Sequence, residues 1–322
     1  MRNALIIGIN DYPTAPLKAC INDAEKIAEL LAKNEDGSKN FRTILLKNIV
    51  NKAELRQALI KLFNKKSDIA LVYFAGHGSN DFFGYHIVTP DSVSNDMGVP
   101  MSQLLSIVNR SPAKNKIIIL DCCRAGGIDE INQDTGMSVY LREGVIILAS
   151  SRSDQLSKEV NGHGVFTNLL IEALKGGAAD LNGNVTPGSI YAFIDKALGP
   201  SEQRPVFKTN ISEFISLRQV TPQVPAGVIQ NLLSFFATPD ALFPLNPSYE
   251  DTNHPDVEHK VIEPYADADN VAKFKQLQKL QSVGLVVPVD APFMFFAAME
   301  SKSCRLTALG YHYWRLAKQK KI

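Results

Sequence analysis

Several features that mark large protein classes are scarce or missing in this chain. Its 322 residues include only four cysteines, Cys20, the adjacent Cys122 and Cys123, and Cys304. No disulfide framework is expected from them, and a reducing compartment fits. No long apolar run is present, so no membrane-spanning helix is expected. Met1 leads straight into an expected strand, so no cleavable leader is expected either. Neither sign of charge dominates: 34 Lys and Arg stand against 33 Asp and Glu, a formal net charge of +1. That balance gives no broad basic stripe for nucleic acid. His86, His254, His259 and His312 have no partner cysteines at metal-ligand spacing, so no metal site is expected. The combined expectation is a cytoplasmic protein with one sizeable core and a smaller second unit.

Against this background two stretches stand out. Phe74-Ala75-Gly76-His77-Gly78-Ser79 closes an apolar run at 69–74, and Leu120-Asp121-Cys122-Cys123-Arg124-Ala125-Gly126-Gly127 closes another at 117–120. Both runs are short, rich in β-branched residues and without polar alternation, as in buried parallel strands. Reactive groups in an open α/β sheet gather at the carboxyl ends of strands. A histidine and a thiol at two such ends make a base and a nucleophile. A thiol is little ionised at neutral pH and needs an imidazole to take its proton, which the same ring then delivers to a leaving amine. The Gly78 amide and that of the attacking cysteine would hold an oxyanion.

These motifs resemble those of the caspase-like cysteine peptidases, most closely the bacterial metacaspase or orthocaspase branch. Agreement extends to Ile7-Gly8-Ile9-Asn10-Asp11-Tyr12, Leu17-Lys18-Ala19-Cys20-Ile21-Asn22-Asp23-Ala24, Ala149-Ser150-Ser151-Arg152-Ser153-Asp154-Gln155 and Gly162-His163-Gly164-Val165-Phe166-Thr167, so it covers residues 1–218. The resemblance implies Cys123 as nucleophile and His77 as base and acid, with Cys122 a packing residue. It also implies that Cys20, Asp23 and Asp121 line the pocket for the residue before the scissile bond. Two carboxylates there attract Arg or Lys and repel Asp. On the residues alone, Asp23 reads equally well as a helix cap, while Asp121, two positions before Cys123, points to the same side of an extended segment. Ala75 departs from the serine often found before Gly-His-Gly, which leaves the choice between Arg and Lys open.

Some relatives need calcium. The candidate ligands here, Asp91, Asp96, Asp129 and Glu130, have no recognisable oxygen-ligand spacing and are better read as solvated loop acids, so no cofactor is expected. His163 reads as a turn or cap residue. Arg142 is the only basic residue of the loop at 128–143, where relatives often self-cleave; it is either a processing site or an ordinary solvated charge.

The expected fold class is α/β, a mostly parallel sheet with helices on both faces, from strands at 4–9, 43–46, 69–74, 117–120, 145–148 and 211–215 alternating with helices at 22–31, 53–63, 165–175 and 187–197. Residues 219–264 gather prolines and read as a linker or wrapping segment. They hold no Lys or Arg before Lys260, so a peptidase that cuts after basic residues would spare them. Residues 265–322 read as helix (271–283), hairpin (285–289 with 293–297) and helix (306–318, with Leu306, Leu309, Tyr313 and Leu316 inward). This resembles a small winged-helix α+β module. A regulatory protein partner is favoured for it over nucleic acid. The functional expectation is a regulated endopeptidase acting on protein or peptide substrates, with a defence or cell-death role suggested by fold-level analogy alone. A catalytically silent scaffold is the alternative.

Overall fold

In the computed structural model the described residues are 1–81, 84–94, 96–122, 141–150, 159–160, 163–199, 204–256, 258 and 261–322. They form two units, Met1–Thr221 and Pro222–Ile322. The division falls after Thr221 instead of after residue 218, and residues 222–264 lie within the second unit.

The first unit begins with the expected alternation: β1 (Arg2–Gly8), α1 (Cys20–Ala32), β2 (Arg42–Lys47), α2 (Lys52–Phe63) and β3 (Ile69–Ala75). Helix α2 starts where Asn51 accepts a hydrogen bond from the Glu54 amide at 2.9 Å, which satisfies a donor that the first turn leaves open. An antiparallel sheet not expected from the sequence follows, β4 (Gly78–Asp81), β5 (Gly84–Val93) and β6 (Asp96–Pro100). Then come α3 (Met101–Asn109), β7 (Asn115–Asp121), β8 (Val145–Ala149), the short pair β9 (Glu159–Val160) and β10 (His163–Gly164), and α4 (Val165–Glu172), continued by a π-turn over Ala173–Gly177. The unit ends with β11 (Asn184–Val185), α5 (Pro187–Ala197), β12 (Val206–Asn210) and β13 (Arg218–Gln219).

Six strands form the central sheet in the order β12-β8-β7-β3-β1-β2, parallel except for β12, which runs antiparallel to β8. The last strand was expected at 211–215, yet Ile211 and Phe214 are exposed and Val206–Asn210 forms the ladder instead. Its Lys208, Thr209 and Asn210 hid it from a search for apolar runs, and an edge strand tolerates such residues.

Alternation along the strands sorts the core into two layers. Ile6, Leu71, Tyr73, Ile117 and Ile119 pack with Ile27 and Leu31 of α1 and Leu170 of α4. Their neighbours Ile7, Val72, Phe74, Ile118 and Leu120 pack on the other face with Leu55 and Leu59 of α2 and Leu104 and Leu105 of α3. Each fully buried aliphatic side chain contributes about 1.5–3 kcal/mol. The same alternation puts Asp121 on the α1/α4 side and Cys122 on the α2/α3 side.

The second unit holds α6 (Ala226–Gln230), α7 (Leu232–Phe235), β14 (Phe243–Pro244), α8 (Ala268–Ser282), β15 (Val286–Val289), α9 (Met294–Met299), β16 (Ser303–Leu306) and α10 (Ala308–Lys318), with an antiparallel sheet ordered β14-β16-β15. Ile229, Leu232, Phe236 and Leu245 are buried here, and the Trp314 indole donates to the Phe236 carbonyl at 2.8 Å. Asn253, fully buried, donates to the carbonyls of Pro247, Ile262 and Pro264 and accepts from the Ile262 amide, which pins the proline-rich stretch.

Two local expectations fail in this unit. Residues 293–297 were read as a strand, but 294–299 is helical, since Met294, Ala297 and Ala298 bury at helical spacing and no β-branched residue resists it. The partner of β15 is β16. Thr307 caps α10 by accepting from the Gly310 amide, so the helix starts at 308; Leu309 is exposed, and Gly310, Trp314 and Ala317 face inward. Among the described residues no helix is long and apolar enough to cross a membrane.

Candidate active site

The parallel register of β3 and β7 sets Ala75 opposite Asp121, and the Gly76 amide donates to the Asp121 carbonyl at 3.3 Å. His77 lies two positions beyond the first residue and Cys123 two beyond the second. Cys123 itself lies outside the described residues, as do Asp129 and Glu130. Cys122 is buried on the α2/α3 face, with its Sγ 2.9 Å from the Tyr85 hydroxyl.

His77 is held at several points. Its amide donates to Tyr12 Oη at 3.0 Å, its carbonyl accepts from the Val88 amide at 3.0 Å, and its ring meets the Tyr12 ring edge-on at 4.5 Å. Ring atom Nε2 lies 2.7 Å from the Ala15 carbonyl. A carbonyl oxygen only accepts, so Nε2 carries the proton and Nδ1 presents a lone pair. Tyr12 in turn donates to the Val88 carbonyl, and burial drives its phenol strongly upward, which keeps it neutral. Gly76 is required for this packing, because a Cβ there would lie 2.5 Å from Tyr12 Oη. Gly78 opens β4 opposite Ile87.

The acidic residues meet on the α1/α4 face. Asp23 does not cap α1: position Ala19 does so without a side-chain bond, and the Asp23 carboxylate is turned inward. It accepts from His163 Nδ1 in a short contact and from the Gly164 amide at 3.2 Å. Asp121 accepts from Thr167 Oγ1 at 2.5 Å, and the Tyr73 hydroxyl lies 2.6 Å from the same Oγ1. Since Thr167 gives its one proton to Asp121, Tyr73 donates to Thr167. Burial pushes the Asp121 carboxyl up to about 6, and Asp23 adds to the rise, while Thr167 and Ser150 oppose it. Gly164 is the wall between strand and carboxylate, for a Cβ there would stand 2.5 Å from Asp121 Oδ2. Cys20, buried at the first position of α1, completes this corner.

His163 was read as a turn or cap residue. It is instead a β10 residue paired with Val160, while Gly164 occupies the N-cap position of α4. Nothing in the local sequence announces its partner, which lies 140 residues away. Thr167, Tyr73 and the anchoring use of Tyr12 were likewise missed, although the glycines flanking His163 hinted at a close backbone approach.

The remaining candidates lie elsewhere. Arg142 is exposed just before β8, with its amide on Asn109 Oδ1 at 3.2 Å. Asp91 accepts from the Lys52 amide and from Thr89 Oγ1, and Asp96 pairs with Lys52 Nζ, so these two acids are already engaged. Among the described residues no three His, Cys, Asp or Glu side chains form a metal-binding group.

A family model described as the caspase domain matches residues 1–215. No curated protein matches this chain. Among solved structures, a structural-genomics target from Geobacter sulfurreducens is similar in fold, with a TM-score of 0.51 and 19% identity over 67% of this chain and 96% of that one. Caspase-1 from Spodoptera frugiperda aligns with a TM-score of 0.48 and 13% identity over 68% of this chain and 90% of that one.

Proposed function

Because this chain belongs to the caspase domain family, matched over residues 1–215, we propose that it is a regulated cysteine endopeptidase that cleaves proteins after Arg or Lys. In this reading the Cys123 thiol gives its proton to His77 Nδ1, the ring atom that the Nε2 contact with Ala15 leaves as acceptor. The thiolate attacks the scissile carbonyl carbon, and the amides of Gly78 and Cys123 hold the oxyanion. His77 returns the proton to the leaving amine, and water then hydrolyses the thioester.

The observation that carries the specificity is the buried pair of carboxylates, Asp23 and Asp121, with Cys20 beside them. In a dry pocket a guanidinium or ammonium meets opposite charge, and an acidic side chain meets like charge. The second unit is assigned to recruitment of a regulatory protein through a winged-helix-like module, in a bacterial defence or cell-death setting in the cytoplasm. Exposure of Arg142 supports its use as a processing site.

Matched fluorogenic peptides ending in Arg, Lys or Asp, given to the wild type and to Cys123→Ala with and without calcium, test this. Cleavage after Arg or Lys that disappears in Cys123→Ala is the expected result. Cleavage after Asp overturns the specificity, and activity that survives Cys123→Ala overturns the nucleophile.

A further inference from the structure

The acid pair already has a basic side chain on it. His163 reaches across from β10 to the Asp23 carboxylate, which is 2% exposed, while the His163 side chain is 32% exposed. A buried carboxylate that remains ionised needs compensation. Of the residues that supply it, histidine is the one whose charge ordinarily changes near neutral pH. The open side of His163 borders a cleft of about 370 Å³ between α1 and α4. Its other charged linings are Glu25, Lys26 and Glu29 from α1, Glu172 from α4 and Lys175 from the π-turn that follows it. These are taken by one another or by Lys47: Lys26 with Glu29 at 2.7 Å, Lys175 with Glu172 at 2.9 Å, and Glu25 with Lys47. Among the described residues, the other titratable neighbours of the pair are Cys20 on α1, Asp121 on β7 and Tyr73 on β3. The ring thus has a polar space beside it into which it can turn.

We propose that His163 is a specificity-determining residue that stands in for the substrate's basic side chain on Asp23, so that a guanidinium or ammonium must displace it to enter. This rests on the acidic-pocket reading above. Its consequence is a threshold: a ligand that is strongly cationic and able to make a forked contact with carboxylate competes, and a neutral or acidic one leaves His163 in place. Asp121, pushed up to about 6 by burial, gains charge as pH rises through that value and strengthens cation binding independently of His163.

Benzamidine, a rigid amidinium, is the probe, and full-length Cys123→Ala protein separates binding from turnover. Calorimetry on this protein and on the same protein carrying His163→Ala is expected to show about tenfold tighter binding when the ring is gone, the scale of one charge-assisted hydrogen bond. His163→Gln keeps a donor of similar reach on Asp23, so it guards against a folding defect. Its benzamidine affinity is expected to stay near that of the parent and well below that of His163→Ala. In protein with Cys123 intact, His163→Ala should lower KM for Arg peptides and leave kcat nearly unchanged. Equal or weaker benzamidine binding in His163→Ala, or binding in His163→Gln as tight as in His163→Ala, overturns the proposal alone. Binding to none of these proteins, or binding indifferent to Asp23→Asn, overturns the acidic pocket and this proposal with it.

Discussion

The histidine corner and the acid corner of the first unit are built by opposite means. His77 is fixed by a neutral phenol, one backbone carbonyl and one backbone amide, and the phenol is itself held by a second carbonyl. None of these partners changes charge across the physiological range. Asp23 and Asp121 are fixed by an imidazole, a threonine hydroxyl and a glycine amide, with one carboxyl pushed up to about 6 by burial. The first corner positions a ring through partners that keep their charge; the second gathers charge and holds a carboxyl that burial pushes up to about 6. A cluster divided in this way can hold its ring in place while the charge of its acid corner changes with pH.

The sharpest test of the division is Asp23→Asn. Loss of a buried charge that faces a cation costs about 2–5 kcal/mol. We therefore expect kcat/KM for Arg peptides to fall by about thirtyfold to several thousandfold. A similar fall for a peptide without a basic residue would break the comparison.

Next comes Asp121→Asn, read in stability. A carboxyl whose folded value is raised favours folding while it is protonated, and that contribution is lost as pH rises from its unfolded value near 3.8 through about 6. The wild type should therefore lose on the order of 3 kcal/mol relative to Asp121→Asn between pH 4 and pH 7, measured by urea unfolding. An unchanged difference across that range would show that Asp121 titrates normally.

Tyr12→Phe addresses the other corner. It removes the acceptor of the His77 amide and the donor to the Val88 carbonyl, at about 1–2 kcal/mol. The expected loss in kcat is about tenfold, with the shape of the pH profile kept. A shifted profile would mean that Tyr12 does more than position the ring. The smallest effect is expected from Arg142→Ala: the folded state should change by less than about 0.5 kcal/mol, while any two-fragment product seen on a denaturing gel disappears.

What could be read in the sequence follows the same line between local and distant. The runs 69–74 and 117–120 are apolar throughout and bury throughout, so β3 and β7 were legible, as was helix α2. The sheet β4-β5-β6 was not, because glycines, prolines and acids interrupt its alternation and its register shifts between Val88 and Val93. Helix α9 was missed because Ala291-Pro292 looked like a hairpin turn. At the site, His77 announced itself through its glycines and its strand. Asp23 and Asp121 came from resemblance, and their partners His163 and Thr167 could not be found locally, since their contacts span 140 and 46 residues.

That span also fixes an order of events during synthesis. Asp23 leaves the ribosome 140 residues ahead of His163, and Asp121 waits for Thr167. Until α4 has been made, neither carboxylate has the partners that permit its burial, so α1 cannot settle finally on the sheet. The ring of His77 has Tyr12 and Ala15 behind it in the chain, whereas the acid corner is complete only once the chain has grown past Thr167. A growing chain therefore holds the partners of its histidine corner long before those of its acid corner.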